Sequence, residues 1–321
     1  MRRALIVGVN HYIAGPLHGS IQDAENMYEV LSRNEDETVN FDCKLLVSNE
    51  ENPKGISARY LKMEISNLLL QEAEMAVFYF SGHGTTNDIG SYLVTQDALK
   101  FAEGVPLSEI ISMANNSKVQ EVVLILDCCH SGHLGNLNEI GDRKAILREG
   151  VSIITSSRDT QISMETDDNK QGVFTSMIHN ALKGGAADIF GNITVASIYQ
   201  YTDQLLDTWE QRPIFKSHVS KMVSLRKCYP KISLKRIREI KNYFPNKEFK
   251  YKLDPTYSTS TSGGYDEGNV KIMKLFREYY SHGILIPEGA TYLFDAANKS
   301  KSCKLTLFGQ HLWEMINKDQ L

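Results

Sequence analysis

The chain has 321 residues, 42% hydrophobic and 23% charged, enough to bury a full core in one large domain and a second, smaller one. A formal charge of −4 is too small to argue for a nucleic-acid or membrane partner. The five cysteines, at 43, 128, 129, 228 and 303, form no regular spacing. Their odd number, with no secretory leader, points to reduced thiols in the cytoplasm and away from a disulfide framework.

MRRALIVGVNHY opens with two arginines and a short apolar run, which predicts a first strand over 4–9 and is too brief for a signal-peptide core. MAVFYF (75–80), VVLIL (122–126) and VSIIT (151–155) have the same near-continuous apolar character, that of strands buried on both faces. Between them QDAENMYEVLSRN, SARYLKMEISNLLLQEA and LSEIISMANNS place apolar residues at helical spacing, with Asp23, Ser57 and Ser108 as candidate caps. Alternating strands and helices predict a parallel α/β sheet. CKLLVS (43–48) is a shorter strand, and SYLVT (91–95) is expected to leave the sheet as a hairpin. VFTSMIHNALKG, with Phe174, Met177, Ile178, Ala181 and Leu182 facing the sheet, VASIYQYTDQLLDTW and a QRPIF segment complete a domain over 1–228.

The composition then changes, since residues 231–252 carry eight Lys or Arg against two Glu. Residues 254–268, rich in Ser, Thr and Gly, follow, and 229–268 read together as a basic segment and flexible linker. A helix (VKIMKLFREYYSHG), two short strands (ILIPEGATYLFDA and SCKLTLF) and a closing helix predict a small winged-helix-like α+β domain over 269–321. No segment approaches about 18 uninterrupted apolar residues, so no membrane span is expected.

In an open parallel sheet, ligands collect outside the carboxyl ends of the strands. There the first strand is followed by Ser20 and Asp23, the 75–80 strand by SGHG with His83, and the 122–126 strand by DCCHSG with Asp127. A thiolate nucleophile needs an imidazole to take its proton and return it to a leaving amine, and glycines beside that imidazole let substrate backbone approach. The doublet Cys128–Cys129 leaves open which thiol reacts. Zinc is disfavoured because adjacent cysteines rarely share one ion and C-x-x-C pairs are missing; a cysteine in an apolar strand is ordinarily a small core residue.

YFSGHG and DCCHSG, 46 residues apart in the order His then Cys, resemble the paired signatures of the caspase-like cysteine peptidases, on the metacaspase and bacterial caspase-homologue branch. LIVGVNHY, LHGSIQDA, the IITSS strand and GVFTSMIHNAL extend the likeness over roughly 4–225, whereas the Gln-Ala-Cys-x-Gly of animal caspases is absent. The resemblance implies a caspase-like α/β fold, a parallel-rich sheet flanked by helices, and a cysteine endopeptidase. It assigns Cys129 as nucleophile, His83 as base, and the backbone N–H groups of Gly84 and Cys129 as the oxyanion hole. Cys128 becomes a packing residue, and no third catalytic side chain is required.

By the same resemblance Ser20, Asp23, Ser81, Asp127 and Ser156 line the substrate pocket. Two carboxylates repel unless a cation sits between them, so cleavage after Arg or Lys is expected; Arg158 is the residue that a preference for Asp would use. Metacaspases often need calcium, but here Asp88 and Asp97, with Asp167 and Asp168, do not make the dense oxygen set that ion wants. Neither a cofactor nor a metal site is therefore expected. The 133–150 loop contains Arg143, Lys144 and Arg148, in a region where family members frequently cut themselves, and the short loop fits an uncut single-chain enzyme equally well. Bacterial relatives imply a protein substrate, such as a pore-forming gasdermin-like protein, in regulated cell death or phage defence. The C-terminal module would engage a regulatory protein. The competing reading is a catalytically silent scaffold acting as adaptor or DNA-binding regulator, and the intact His and Cys motifs count against it.

Overall fold

The computed structural model describes residues 1–12, 15–52, 55–100, 102–130, 146–156, 172–205, 213–219, 223–259 and 264–321, the side chains of Cys129 and His130 excepted. Two compact units divide them, Met1–Tyr229 and Pro230–Leu321.

The first unit runs β1 (Arg2–Gly8), α1 (Ser20–Ser32), β2 (Asp42–Val47), α2 (Ala58–Leu70), β3 (Met75–Thr86), β4 (Ser91–Leu99), β5 (Ala102–Pro106), α3 (Leu107–Asn116) and β6 (Glu121–His130). It continues through β7 (Val151–Thr155), α4 (Val173–Asn180) with a π-helical extension (Ala181–Gly185), β8 (Asn192–Thr194), α5 (Val195–Leu205), β9 (Ile214–His218) and β10 (Ser224–Lys227). The main sheet has the order β2-β1-β3-β6-β7-β9. Its β2, β1, β3, β6 and β7 are mutually parallel, while β9 closes one edge antiparallel. SYLVT does turn back as a hairpin, β4 pairing antiparallel with the end of β3 and with β5.

Successive side chains of a strand face opposite sides, and both sides of this sheet are covered. In β3, Ala76, Phe78 and Phe80 enter a core with Leu61 and Ile65 of α2 and Ile110 of α3. Met75, Val77 and Tyr79 enter the other core, with Met27 of α1, Ile178 of α4 and Ile198 of α5. The same parity in β6 sends Leu124, Leu126 and Cys128 to the α2/α3 side and Val123 and Ile125 to the α1/α4/α5 side. Each fully buried Ile, Leu or Phe contributes about 1.5–3 kcal/mol, so unpolarised runs such as MAVFYF specify a central strand.

Two helix starts differ from expectation. Asp23 is not the cap of α1: the helix begins at Ser20, and the Asn10 side chain accepts from Ile21 N–H at 3.2 Å, leaving Asp23 one turn inside. Ser57 does cap α2, accepting from Tyr60 N–H, whereas α3 begins at Leu107 behind Pro106, so Ser108 lies within the helix. In α4, Met177 is only half-buried and Thr175 is fully buried in its stead.

The second unit consists of α6 (Leu234–Arg238), α7 (Ile240–Tyr243), β11 (Lys250–Lys252), α8 (Glu267–Ser281), β12 (Leu285–Glu288), α9 (Leu293–Asn298), β13 (Ser302–Leu305) and α10 (Leu307–Asn317). Its sheet is antiparallel, in the order β11-β13-β12. The flexible-linker expectation for 229–268 needs correction. Ile237, Ile240, Phe244 and Leu253 of the basic segment are buried, Phe244 packs on Phe276 of α8 with ring centroids 5.7 Å apart, and Trp313 Nε1–H donates to the Phe244 carbonyl at 2.7 Å. Asp254 caps a 3₁₀ turn, and Asp266 caps α8. The lysines and arginines thus ride on a short amphipathic framework. TYLFDA also differs, since Leu293, Ala296 and Ala297 bury one face of α9 and this helix, not a bare wing, joins β12 to β13.

Because Phe244 sits in an aromatic core with Phe276, Tyr251 and Phe249, Phe244→Ala should destabilise the second unit by about 3–5 kcal/mol. Hydrogen exchange of the α8 and α10 amides, accelerated by the substitution, measures it; a linker residue would leave both unchanged.

Candidate active site

The site begins with register. β3 and β6 run parallel with Ser81 opposite Asp127, Gly82 opposite Cys128, His83 opposite Cys129 and Gly84 opposite His130. Adjacent strands lie about 4.8 Å apart, so the two halves of the sequence signature, remote along the chain, are immediate neighbours at the strand ends. Cys128 is buried in the α2/α3 core at 8% exposure.

His83 is half-buried and held from the first loop. Its ring nitrogen Nε2 lies 2.6 Å from the Gly15 carbonyl, which can only accept, so Nε2 carries a hydrogen and, in the neutral imidazole, Nδ1 has the lone pair. The Tyr12 hydroxyl accepts from the His83 N–H at 2.9 Å and donates to the Val94 carbonyl at 3.3 Å, while the Tyr12 ring packs 4.6 Å from the imidazole. A Cβ on Gly82 would stand 2.5 Å from the Tyr12 hydroxyl. Glycine at that position therefore makes room for Tyr12, an internal reason beside the expected approach of substrate.

On the α1/α4/α5 side two carboxylates converge on the start of α4. Asp23 accepts from Ser81 Oγ at 3.1 Å and from Gly172 N–H at 3.2 and 3.3 Å through its two oxygens. Asp127 Oδ2 accepts from Thr175 Oγ1 at 2.6 Å, and Ser156, whose hydroxyl donates to the Cys128 carbonyl at 3.4 Å, lies close enough to this carboxylate to favour its charged form. A Cβ on Gly172 would stand 2.8 Å from Asp127 Oδ2 and 3.2 Å from Asp23 Oδ2, so only glycine lets the helix start this close to both. Negative charge at a helix N-terminus is favourable, and the first-turn donors supply hydrogen bonds there. Asp23 and Asp127 are nonetheless 2% and 4% exposed. Burial pushes the Asp127 carboxyl above its ordinary range, with Thr175 and Ser156 working against the shift.

Of the residues expected from sequence, Asp23, Ser81, Asp127 and Ser156 fall into this hydrogen-bonded group, and Ser20 is buried in the same first turn of α1. Gly84 is buried in β3 opposite Leu93 and His130. Gly15, Tyr12, Gly172, Thr175 and Tyr79 were not anticipated. Only Tyr79 carried a usable signal, two residues before Ser81 and so on its face of the strand.

Other candidates resolve differently. Asp97 Oδ1 accepts from Ala58 N–H and Thr95 Oγ1 at 2.9 and 2.7 Å, a capping role for α2. Among the described residues no group of three or more His, Cys, Asp or Glu is arranged to hold a metal ion. Arg148 is committed to carbonyls at the end of α3 and beyond, donating to Ala114 at 3.2 Å, Val119 at 2.5 Å and Glu149 at 2.5 Å. Arg143, Lys144, Arg158, Asp167 and Asp168 lie outside the described residues.

The folded pKa of Asp127 exceeds its unfolded one, so its contribution to stability is fully present below the unfolded pKa and lost as pH rises through the folded one. Asp127→Asn should therefore raise Tm relative to wild type at neutral pH, with the gain disappearing in acid where the wild-type carboxyl is protonated. Calorimetry across pH measures this; a lower Tm at neutral pH would make the carboxylate a structural group that holds α4.

Residues 1–224 match the peptidase family described as the caspase domain. The crystal structure of protein GSU0716 from Geobacter sulfurreducens is similar in fold, with a TM-score of 0.52 and 17% identity over 71% of this chain and 97% of that one. No curated protein sequence matches. Among the described residues no helix is long and apolar enough to cross a membrane. With a mixed α/β sheet flanked by helices and a family match over its whole first unit but the last few residues, the chain belongs to the caspase-domain family of cysteine peptidases.

Proposed function

We propose that the protein is a cysteine endopeptidase that cuts protein substrates after Arg or Lys, with Cys129 as nucleophile and His83 as base. The observation that carries the reading is the β3–β6 register, in which His83 stands opposite Cys129 two residues beyond the Ser81–Asp127 pair. The Cys129 thiol gives its proton to His83 Nδ1, the nitrogen left basic by the Nε2–H bond to Gly15, and the thiolate attacks the scissile carbonyl carbon. The oxyanion that forms is received by the N–H groups of Gly84 and Cys129. Collapse breaks the C–N bond, the imidazolium protonates the departing amine, and water then hydrolyses the thioester with His83 again as base.

Ser20, Asp23, Ser81, Asp127 and Ser156 form the pocket for the residue before the cut. Support comes from the convergence of two buried carboxylates, which a guanidinium or ammonium group would neutralise. The proposed role, drawn from the family resemblance, is in cell death or phage defence, with a gasdermin-like substrate and a cytoplasmic location. The C-terminal unit would engage a regulatory protein. The enzyme acts either as an uncut single chain or after self-cleavage in the 133–150 loop, where Arg143 and Lys144 are the candidate positions because the Arg148 side chain is already committed.

Purified wild type, Cys129→Ala, Cys128→Ala and His83→Ala, assayed on peptides ending in Arg, Lys or Asp, test the reading. Loss of Cys129 or His83 should lower kcat/KM by roughly 10³-fold or more, while Cys128→Ala stays within about threefold. Activity that survives in Cys129→Ala and vanishes in Cys128→Ala reverses the assignment, and a preference for Asp overturns the acidic pocket.

A further inference from the structure

Thr175 and Tyr79 are both fully buried, on α4 and β3, in positions that apolar side chains would fill equally well. Thr175 lies on the helical face that buries Phe174, Ile178, Ala181 and Leu182, where valine has the same shape. Tyr79 lies inside MAVFYF, where phenylalanine has the same ring. A buried hydroxyl costs free energy unless it is hydrogen-bonded, so the two oxygens need a use.

The geometry supplies one. Thr175 Oγ1 lies 2.6 Å from Asp127 Oδ2 and 2.5 Å from the Tyr79 hydroxyl. An ionised carboxylate only accepts, so the single Thr175 hydrogen goes to Asp127, and Tyr79 must donate to Thr175. With Asp127 ionised the chain therefore runs from Tyr79 O–H to Thr175 Oγ1, and from Thr175 O–H to Asp127. Two residues on from Tyr79, on the same face of β3, Ser81 makes the corresponding bond to Asp23. Burial, with Asp23 and Asp127 nearby, keeps the Tyr79 phenol well above its ordinary pKa, so it remains a donor throughout the working range.

We infer that Thr175 and Tyr79 are positioning residues for substrate selection, a buried hydroxyl chain from β3 through α4 that holds the Asp127 carboxylate in the orientation that receives a substrate's basic side chain. The inference rests on the proposed reading of Asp23 and Asp127 as the receptor for that cation. Neither hydroxyl touches the reacting atoms; each acts through Asp127. Removing the Thr175 hydroxyl takes the 2.6 Å donor from the carboxylate and a partner from the Tyr79 hydroxyl, so the carboxylate is held less firmly and binding of the cation suffers before chemistry does.

The full-length protein carrying Thr175→Val, Thr175→Ser, Tyr79→Phe or Asp127→Asn is assayed on peptides with Arg, Lys or the uncharged isostere citrulline before the cut. Thr175→Val should raise KM for Arg and Lys about tenfold and Tyr79→Phe about threefold, with kcat within about twofold and citrulline kinetics unchanged. Thr175→Ser should restore the wild-type KM. If Asp127→Asn abolishes the preference for basic residues while Thr175→Val leaves KM unchanged, the pocket stands and this inference falls. Thr175→Ser behaving like Thr175→Val makes the role one of packing and overturns it as well. Should Thr175→Val fail to fold, Tyr79→Phe decides, an unchanged KM being the adverse result. If Asp127→Asn leaves the cutting of Arg peptides untouched, the pocket itself is misread and the inference falls with it.

Discussion

The pairing of β3 with β6 is the constraint on which the rest of the first unit depends. Their register is set by two continuous apolar runs, each buried on both faces, and a slip of one residue would transfer every side chain to the opposite core. That penalty, spread over Ala76, Phe78 and Phe80 on one side and Val77 and Tyr79 on the other, is what holds Ser81 against Asp127 and His83 against Cys129. Site geometry is thus paid for by hydrophobic burial several residues away from the chemistry.

The carboxylate pair shows the opposite balance. Asp23 and Asp127 are almost completely buried, a costly position for charge, and neutral donors offset part of that cost: Ser81, Thr175, Ser156 and the Gly172 N–H at the start of α4. The absence of a Cβ at Gly172 lets α4 approach both carboxylates at once, and Gly82 does the same for Tyr12 beside His83.

In the second unit, composition misled where periodicity would have served better. The charge density of 231–252 favours a basic segment and linker, yet Ile237, Ile240 and Phe244 recur at helical spacing and are buried, Phe244 in an aromatic core with Phe276 and Tyr251. Lysine and arginine carry long apolar stems and sit readily on the outer face of so short a helix. Likewise Leu293, Ala296 and Ala297 have the spacing of α9, although TYLFDA has the composition of a strand.

By itself the sequence determined the α/β class, the central strands, the hairpin after β3 and the paired His and Cys motifs, because two-sided burial writes long apolar runs and strand ends write polar ones. Its resemblance to the family put forward Ser20, Asp23, Ser81, Asp127 and Ser156 as pocket residues. Only the tertiary structure decided that Cys128 packs into the α2/α3 core, that Asn10 and not Asp23 accepts from the first turn of α1, and that Arg148 is bound to the end of α3. The hydroxyls of Tyr79 and Thr175 belong to the same class: 96 residues apart in the chain, they are 2.5 Å apart in the fold. A hydrogen bond between remote segments leaves no periodicity in either, so it becomes legible only once the sheet and α4 have been packed together.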